Sequence, residues 1–340
     1  MNAPQRPTPN AQRPSSIWEL GVGSWEFTLA ILLATLLSSN AWAAERYALI
    51  LSGAAGGEKY AEQQQAWRAQ LASVLKARFA FPDDNIVLLD EESTGSSRSS
   101  ADNVKRVLGD LRRRMTRDDT LMLVLLGHGT FDGADAKFNL AGPDLSAGEW
   151  RGMLDGLPGR LVVVNTTESS FPFIEELSQR GRVVITATDS VAQRFATVFP
   201  EHFIRVLSDP AADLDKNGRL SIWEAFTAAS AAVKAHYDQR GTLSTERPLL
   251  DDDGDRKGRE AETPGEDGAL ARSVYLDEPA AVTSTDATRA ALERERASIE
   301  AQIEALKSRK DAMPETEYQA TLEKLLVQLA KIAQQIRQGS

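Results

Sequence analysis

The chain has 340 residues, 42% of them apolar and 26% charged, with a net charge of −10 at pH 7; that is enough for one sizeable core plus an appendage. Acidity on this scale argues against a nucleic-acid footprint, whose usual sign is a basic face. The chain contains no cysteine, which excludes disulfides, thiolate metal sites and a cysteine nucleophile.

Residues 1–16 are rich in Pro, Asn and Gln and predict disorder. Residues 27–39 form an apolar run of signal-peptide length, and Ala41-Trp42-Ala43 follows with the small-x-small pattern that signal peptidase reads. The expectation is export to the periplasm or the medium, with cleavage near Ala43 and Ala44. An uncleaved membrane anchor is the alternative. Residues 1–43 are therefore set apart from the functional body.

Residues 44–277 read as an α/β body. Arg46–Ser52 is a first strand that runs into Gly53-Ala54-Ala55-Gly56-Gly57. This turn lacks the Lys-Ser/Thr ending of a P-loop and reads as a permissive loop beside a ligand edge. Residues 58–79 are helical, Ile86–Leu89 is a strand, and Ser100–Asn103 opens another helix. Leu121–Leu126 is six apolar residues in a row, the mark of a strand buried on both faces of a parallel sheet. It stops at Gly127-His128-Gly129, which sets an imidazole at a carboxyl strand end, where ligands bind in open α/β sheets. A hairpin over residues 131–140, a helix over 147–154, strands over 160–165 and 182–186 and short helices over 174–179 and 200–207 complete the alternation.

A buried strand ending in Gly127-His128-Gly129, followed by one ending in Asn165-Thr166-Thr167-Glu168-Ser169-Ser170, resembles the legumain-like (peptidase C13) branch of the caspase-fold cysteine peptidases. There a His-Gly ends one strand and an Ala-Cys-Glu-Ser-Gly-type segment ends the next. Residues 183–190 resemble that family's next strand and its pocket-forming loop. The resemblance spans roughly residues 46–276. It implies a caspase-like three-layer α/β/α sandwich with a mostly parallel sheet. It maps the catalytic His onto His128 and the nucleophile onto Thr167, with Gly127, Gly129, Glu168, Ser169 and Asp189 lining a peptide groove. A thiolate is far more nucleophilic than an alcohol at neutral pH. The Thr in its place therefore predicts a catalytically inactive relative that binds a peptide or protein. A hydrolase using a hydroxyl beside His128 is the alternative.

Asp213-Leu214-Asp215-Lys216-Asn217-Gly218-Arg219-Leu220-Ser221-Ile222-Trp223-Glu224 places oxygen donors at positions 1, 3, 5, 9 and 12 of an EF-hand-like loop. Ca²⁺ is the cofactor this implies, with Asp213, Asp215, Asn217, the Arg219 carbonyl, Ser221 and Glu224 as ligands. A metal-free acidic helix cap is the alternative. Asp251, Asp253 and Asp255 alternate in a second glycine-bounded loop, which suits either another metal or a plain solvated turn. After a linker at 278–287, residues 288–338 carry apolar residues at helical spacing on both sides of Pro314, with a heptad seam from Tyr318 to Ile336. They predict a C-terminal α-helical hairpin or coiled coil. A third function, assembly with a second copy or a partner helix, would use that hairpin.

Overall fold

The computed structural model describes residues 44–277 and 313–338, with scattered positions between 292 and 310. The expectations for residues 1–43 and for the linker at 278–287 lie outside the described residues. Among the described residues, no helix is long and apolar enough to cross a membrane.

The body is a mixed α/β sandwich around one sheet. Its strands are β1 (Arg46–Ser52), β2 (Ile86–Leu89), β3 (Thr120–Leu126), β7 (Arg160–Asn165), β8 (Arg182–Thr186) and β9 (Leu249–Asp251). The order across the sheet is β2-β1-β3-β7-β8-β9. The first five are parallel, and β9 closes one edge antiparallel to β8. β4 (Gly129–Phe131), β5 (Ala136–Phe138) and β6 (Leu145–Ser146) form a separate small antiparallel sheet directly after β3. The hairpin expected over residues 131–140 is thus part of a three-stranded unit.

Side chains alternate across a strand, so each core strand feeds two cores. Ile50, Val124, Val164 and Ile185 face α1 (Glu58–Ala77), α5 (Phe199–Val206) and α6 (Ile222–Arg240), meeting Leu71, Phe203 and Phe226. Leu49, Leu123, Val163 and Val184 face α2 (Ala101–Arg114), α3 (Ala147–Leu154) and α4 (Pro172–Leu177), meeting Leu108, Trp150 and Phe173. Burial of both faces is why β3 carries no polar alternation. At about 25 cal/mol per Å² of apolar area, these two layers supply most of the stabilisation of the body.

Residues 269–276 form the short helix α7 (Ala269–Ser273) and one bridge between Tyr275 and Ser221. His202 on α5 is buried against His236, which faces it from α6. In the tail, α8 (Glu315–Gln338) packs Tyr318, Leu325 and Ile332 against Ile299, Ile303 and Leu306.

Candidate functional site

The carboxyl ends of β3 and β7 lie side by side, since Leu125 pairs with Asn165. His128 and Thr167 therefore share one edge. Gly129 makes their approach possible: a Cβ there would fall 2.5 Å from both the Glu168 carbonyl and the Thr167 Oγ1. Gly53 does the same on the β1 side, where a Cβ would lie 2.3 Å from the Asn139 carbonyl.

The hydroxyl and the imidazole nevertheless have different partners. Thr167 is 1% exposed, and its Oγ1 donates to Asn165 Oδ1 at 2.8 Å, with the Glu168 carbonyl at 3.2 Å. His128 Nδ1 meets Glu168 Oε1 at 2.8 Å, and its ring stands edge-on to Tyr60 at 4.8 Å. The hydrogen bond to Glu168 raises the His128 pKa; burial opposes this, while the Glu168 charge and a backbone hydrogen bond with Ala55 reinforce it. The second carboxylate oxygen of Glu168, Oε2, is buried without a partner, and so is Asn165 Nδ2. Such groups cost about 1–3 kcal/mol each when unpaired.

The rest of the segment is held from the loop after β8. Ser169 sits at φ +53°, with its N–H on the Gln193 carbonyl. Ser170 Oγ contacts Thr188 Oγ1 at 3.0 Å and accepts the N–H groups of Ala187 and Thr188. Asp189 accepts from Gln193 Nε2 at 2.7 Å, and Arg247 lies 3.8 Å from its other oxygen. Phe195, 69% exposed, stands on the loop that holds Ser169. Tyr60, Asn165 and Thr188 were not singled out from the sequence. Their roles arise from contacts across strands, which no spacing in one strand reveals.

The loop at 213–224 brings carboxylate oxygens of Asp213, Asp215 and Glu224 within 4.8 Å of one another, a spacing that fits a metal ion. Gly218, at φ +83°, donates its N–H to Asp213 Oδ2 at 2.8 Å and closes the turn. Burial, the Glu224 charge, and a side-chain hydrogen bond and charge from Asp213 outweigh an Asn217 N–H bond and push the Asp215 carboxyl pKa up. Both Glu224 oxygens are engaged. Oε1 accepts from the Leu214 and Asp215 N–H groups, and Oε2 accepts from the Ser221 N–H and hydroxyl. Ser221 is thus the N-cap of α6 in a reciprocal capping box. Asn217 Oδ1 accepts the Arg219 N–H, and the Arg219 side chain turns away to Asp277 and stacks over Tyr275 at 3.9 Å. Leu220 is fully buried and anchors the loop.

Asp251, Asp253 and Asp255 converge within 4.8 Å as well. Asp251 is buried on β9 and accepts from Ser178 Oγ at 2.9 Å. Behind it, Asp252 accepts the Gly268 and Ala271 N–H groups at the start of α7. Asp267 is pushed up to about 7 by burial, against an Asp252 N–H bond and with the help of the three adjacent Asp charges.

No protein-family model matches this chain. No curated protein matches it either. Among solved structures it is similar to the protein GSU0716 of Geobacter sulfurreducens, at 15% identity, a TM-score of 0.39 and coverage of 61% of this chain and 92% of that one.

Proposed function

We propose that this chain is an exported, catalytically silent relative of the legumain-like caspase-fold peptidases, one that binds an extended peptide or protein at the β3–β7–β8 edge and uses Ca²⁺ for support. The observation that carries the reading is the separation of base from hydroxyl on one shared edge. Thr167 Oγ1 donates to Asn165 while His128 is engaged by Glu168. A hydroxyl nucleophile needs its base within hydrogen-bond reach. Five parallel strands with an antiparallel sixth, and the two key segments at adjacent strand ends, are the arrangement a caspase-like reading calls for. The exposed Phe195, on the loop that holds Ser169, suits a peptide better than a small polar metabolite.

The test is a peptide-library screen for turnover and for binding, with and without Ca²⁺, on the wild type, Thr167→Ala and Thr167→Cys. Binding without turnover in the wild type, with thiol-dependent cleavage by Thr167→Cys, is the expected pattern. Turnover that disappears in Thr167→Ala would revive the hydroxyl hydrolase. The assembly reading draws on Leu326 and Val327, half-exposed on α8; light scattering of the tail-deleted chain tests it.

For the metal, six oxygens at EF-hand spacing and three converged carboxylates favour Ca²⁺ at residues 213–224. Its arrival would draw Glu224 from its backbone partners toward the ion.

A further inference from the structure

Helices α5 and α6 meet through two histidines. His202, on α5, is 5% exposed, and its Nε2 faces Nδ1 of the half-buried His236 at 3.4 Å, the rings standing edge to face. Arg205, one turn along α5, touches the other ring nitrogen of His202, Nδ1. A guanidinium only donates, so Nδ1 of His202 accepts and its proton sits on Nε2. That N–H points at Nδ1 of His236, which must accept in turn. The contact therefore needs both imidazoles neutral. A proton on His202 Nδ1 would face the guanidinium, and one on His236 Nδ1 would face the His202 N–H. Among the described residues no third metal-ligating side chain converges on the pair, and the guanidinium beside it opposes a cation.

The surroundings sharpen the conflict. Burial and then the Arg205 charge push His202 down, with His236 and Arg240 adding to them and Glu201 opposing. Burial and then Arg240 push His236 down, again against Glu201. From α1, Arg78 reaches the Leu207 carbonyl just past the end of α5. At its start, α5 is tied to the loop that precedes it. The Val198 and Phe199 N–H groups go to the buried Glu246, which also accepts from the hydroxyl of Tyr237, next to His236 on α6. Thr197 donates to the Thr166 carbonyl just past β7, and the same loop holds Ser169 through the Gln193 carbonyl.

We propose that the His202–His236 pair is an acid-sensitive latch: neutral, it closes α5 on α6 and fixes the loop of residues 187–198; protonated, it parts the helices and frees that loop. With folded-state values below the ordinary histidine value of about 6.5, the stabilisation is complete above that pH and is lost as the pH falls through the lowered values. This is the reverse of His128, whose value is raised. Burial pushes the Glu246 carboxyl up, so its own protonation favours the folded form and works against release. The latch stands on its own contacts; that the freed loop then lets go of a peptide rests on the groove reading above.

Hydrogen exchange on the full chain reads the latch amide by amide, without any peptide. From about pH 7.5 to about pH 5, corrected for intrinsic rates, residues 187–206 should lose roughly tenfold in protection while β3 keeps its own. Proton NMR should place the His202 midpoint below about 6.5. His202→Gln/His236→Gln keeps a donor and an acceptor at each position but takes up no proton, and it should hold the loop at both pH values. Arg205→Leu should raise the His202 midpoint and shrink the acid loss, which decides the matter should the double variant not fold. The proposal is overturned by equal protection at both pH values, by a loss shared evenly with β3, by an undiminished loss in the double variant, or by a His202 midpoint that is not lowered or that Arg205→Leu leaves unchanged. Peptide binding at about pH 7.5 is a separate readout: its absence beside an intact acid release sinks the groove reading alone.

Discussion

At the scale of single residues, the chemistry of the edge turns on Glu168. It occupies the position after the expected nucleophile, yet its partner is the imidazole. An imidazolium held by a carboxylate titrates above the ordinary histidine value of about 6.5. By linkage, the stabilisation from this pair is complete below about pH 6.5 and is lost as the pH rises through the raised folded-state value. Proton NMR of His128 should show that elevated midpoint, and Glu168→Gln should bring it down; an unchanged midpoint would contradict the pairing. Gly129→Ala should cost about 1–3 kcal/mol in denaturant unfolding, because its methyl would overlap two buried oxygens. His128 could be placed at a strand end because it follows an uninterrupted apolar run and one glycine, whereas Thr167 was singled out only through the family resemblance. The His128–Glu168 pair could not be read from the sequence. Residues forty positions apart in the chain meet only through the parallel pairing of β3 with β7.

At the scale of elements, legibility tracked punctuation. α3, β7 and β8 match their expected spans because Ser, Gly and Pro bracket plain apolar runs. β9 was missed: three residues between Pro248 and an acidic stretch carry no periodicity, and only the open edge of β8 makes them a strand. Glu246 was missed for the same kind of reason. It is buried and accepts the Val198 and Phe199 N–H groups at the start of α5, forty-odd residues upstream. Both alternatives for the 213–224 loop were legible in the sequence: three carboxylates converge as a metal pattern asks, and Ser221 and Glu224 form the cap of α6. Those two roles compete for one carboxylate. Adding Ca²⁺ should raise the melting temperature, and Asp213→Ala should remove that rise while lowering the metal-free melting point only slightly. If Asp251→Ala removes it instead, the metal belongs to the second loop. On α8, Ile332→Asp should melt the tail's helicity, read at 222 nm, because Ile332 is buried in the seam.

At the scale of the whole molecule, the two body cores share the sheet as a common wall, whereas the buried residues of the tail form a cluster of their own. Thermal unfolding followed by tryptophan fluorescence should leave the body transition of Ile332→Asp where it is in the wild type, since none of the tail cluster is tryptophan. A shift of several degrees would mean that body and tail unfold as one unit.

The late arrival of β9 governs how this protein is made. β8 ends at Thr186 and its last neighbour begins only at Leu249, so on the ribosome one flank of the sheet waits, unzipped and sticky, for a stretch of chain that includes the 213–224 loop. Pairings of that range form slowly, and an unzipped flank invites other chains. Newly made molecules should therefore depend on chaperones until that final strand clicks home.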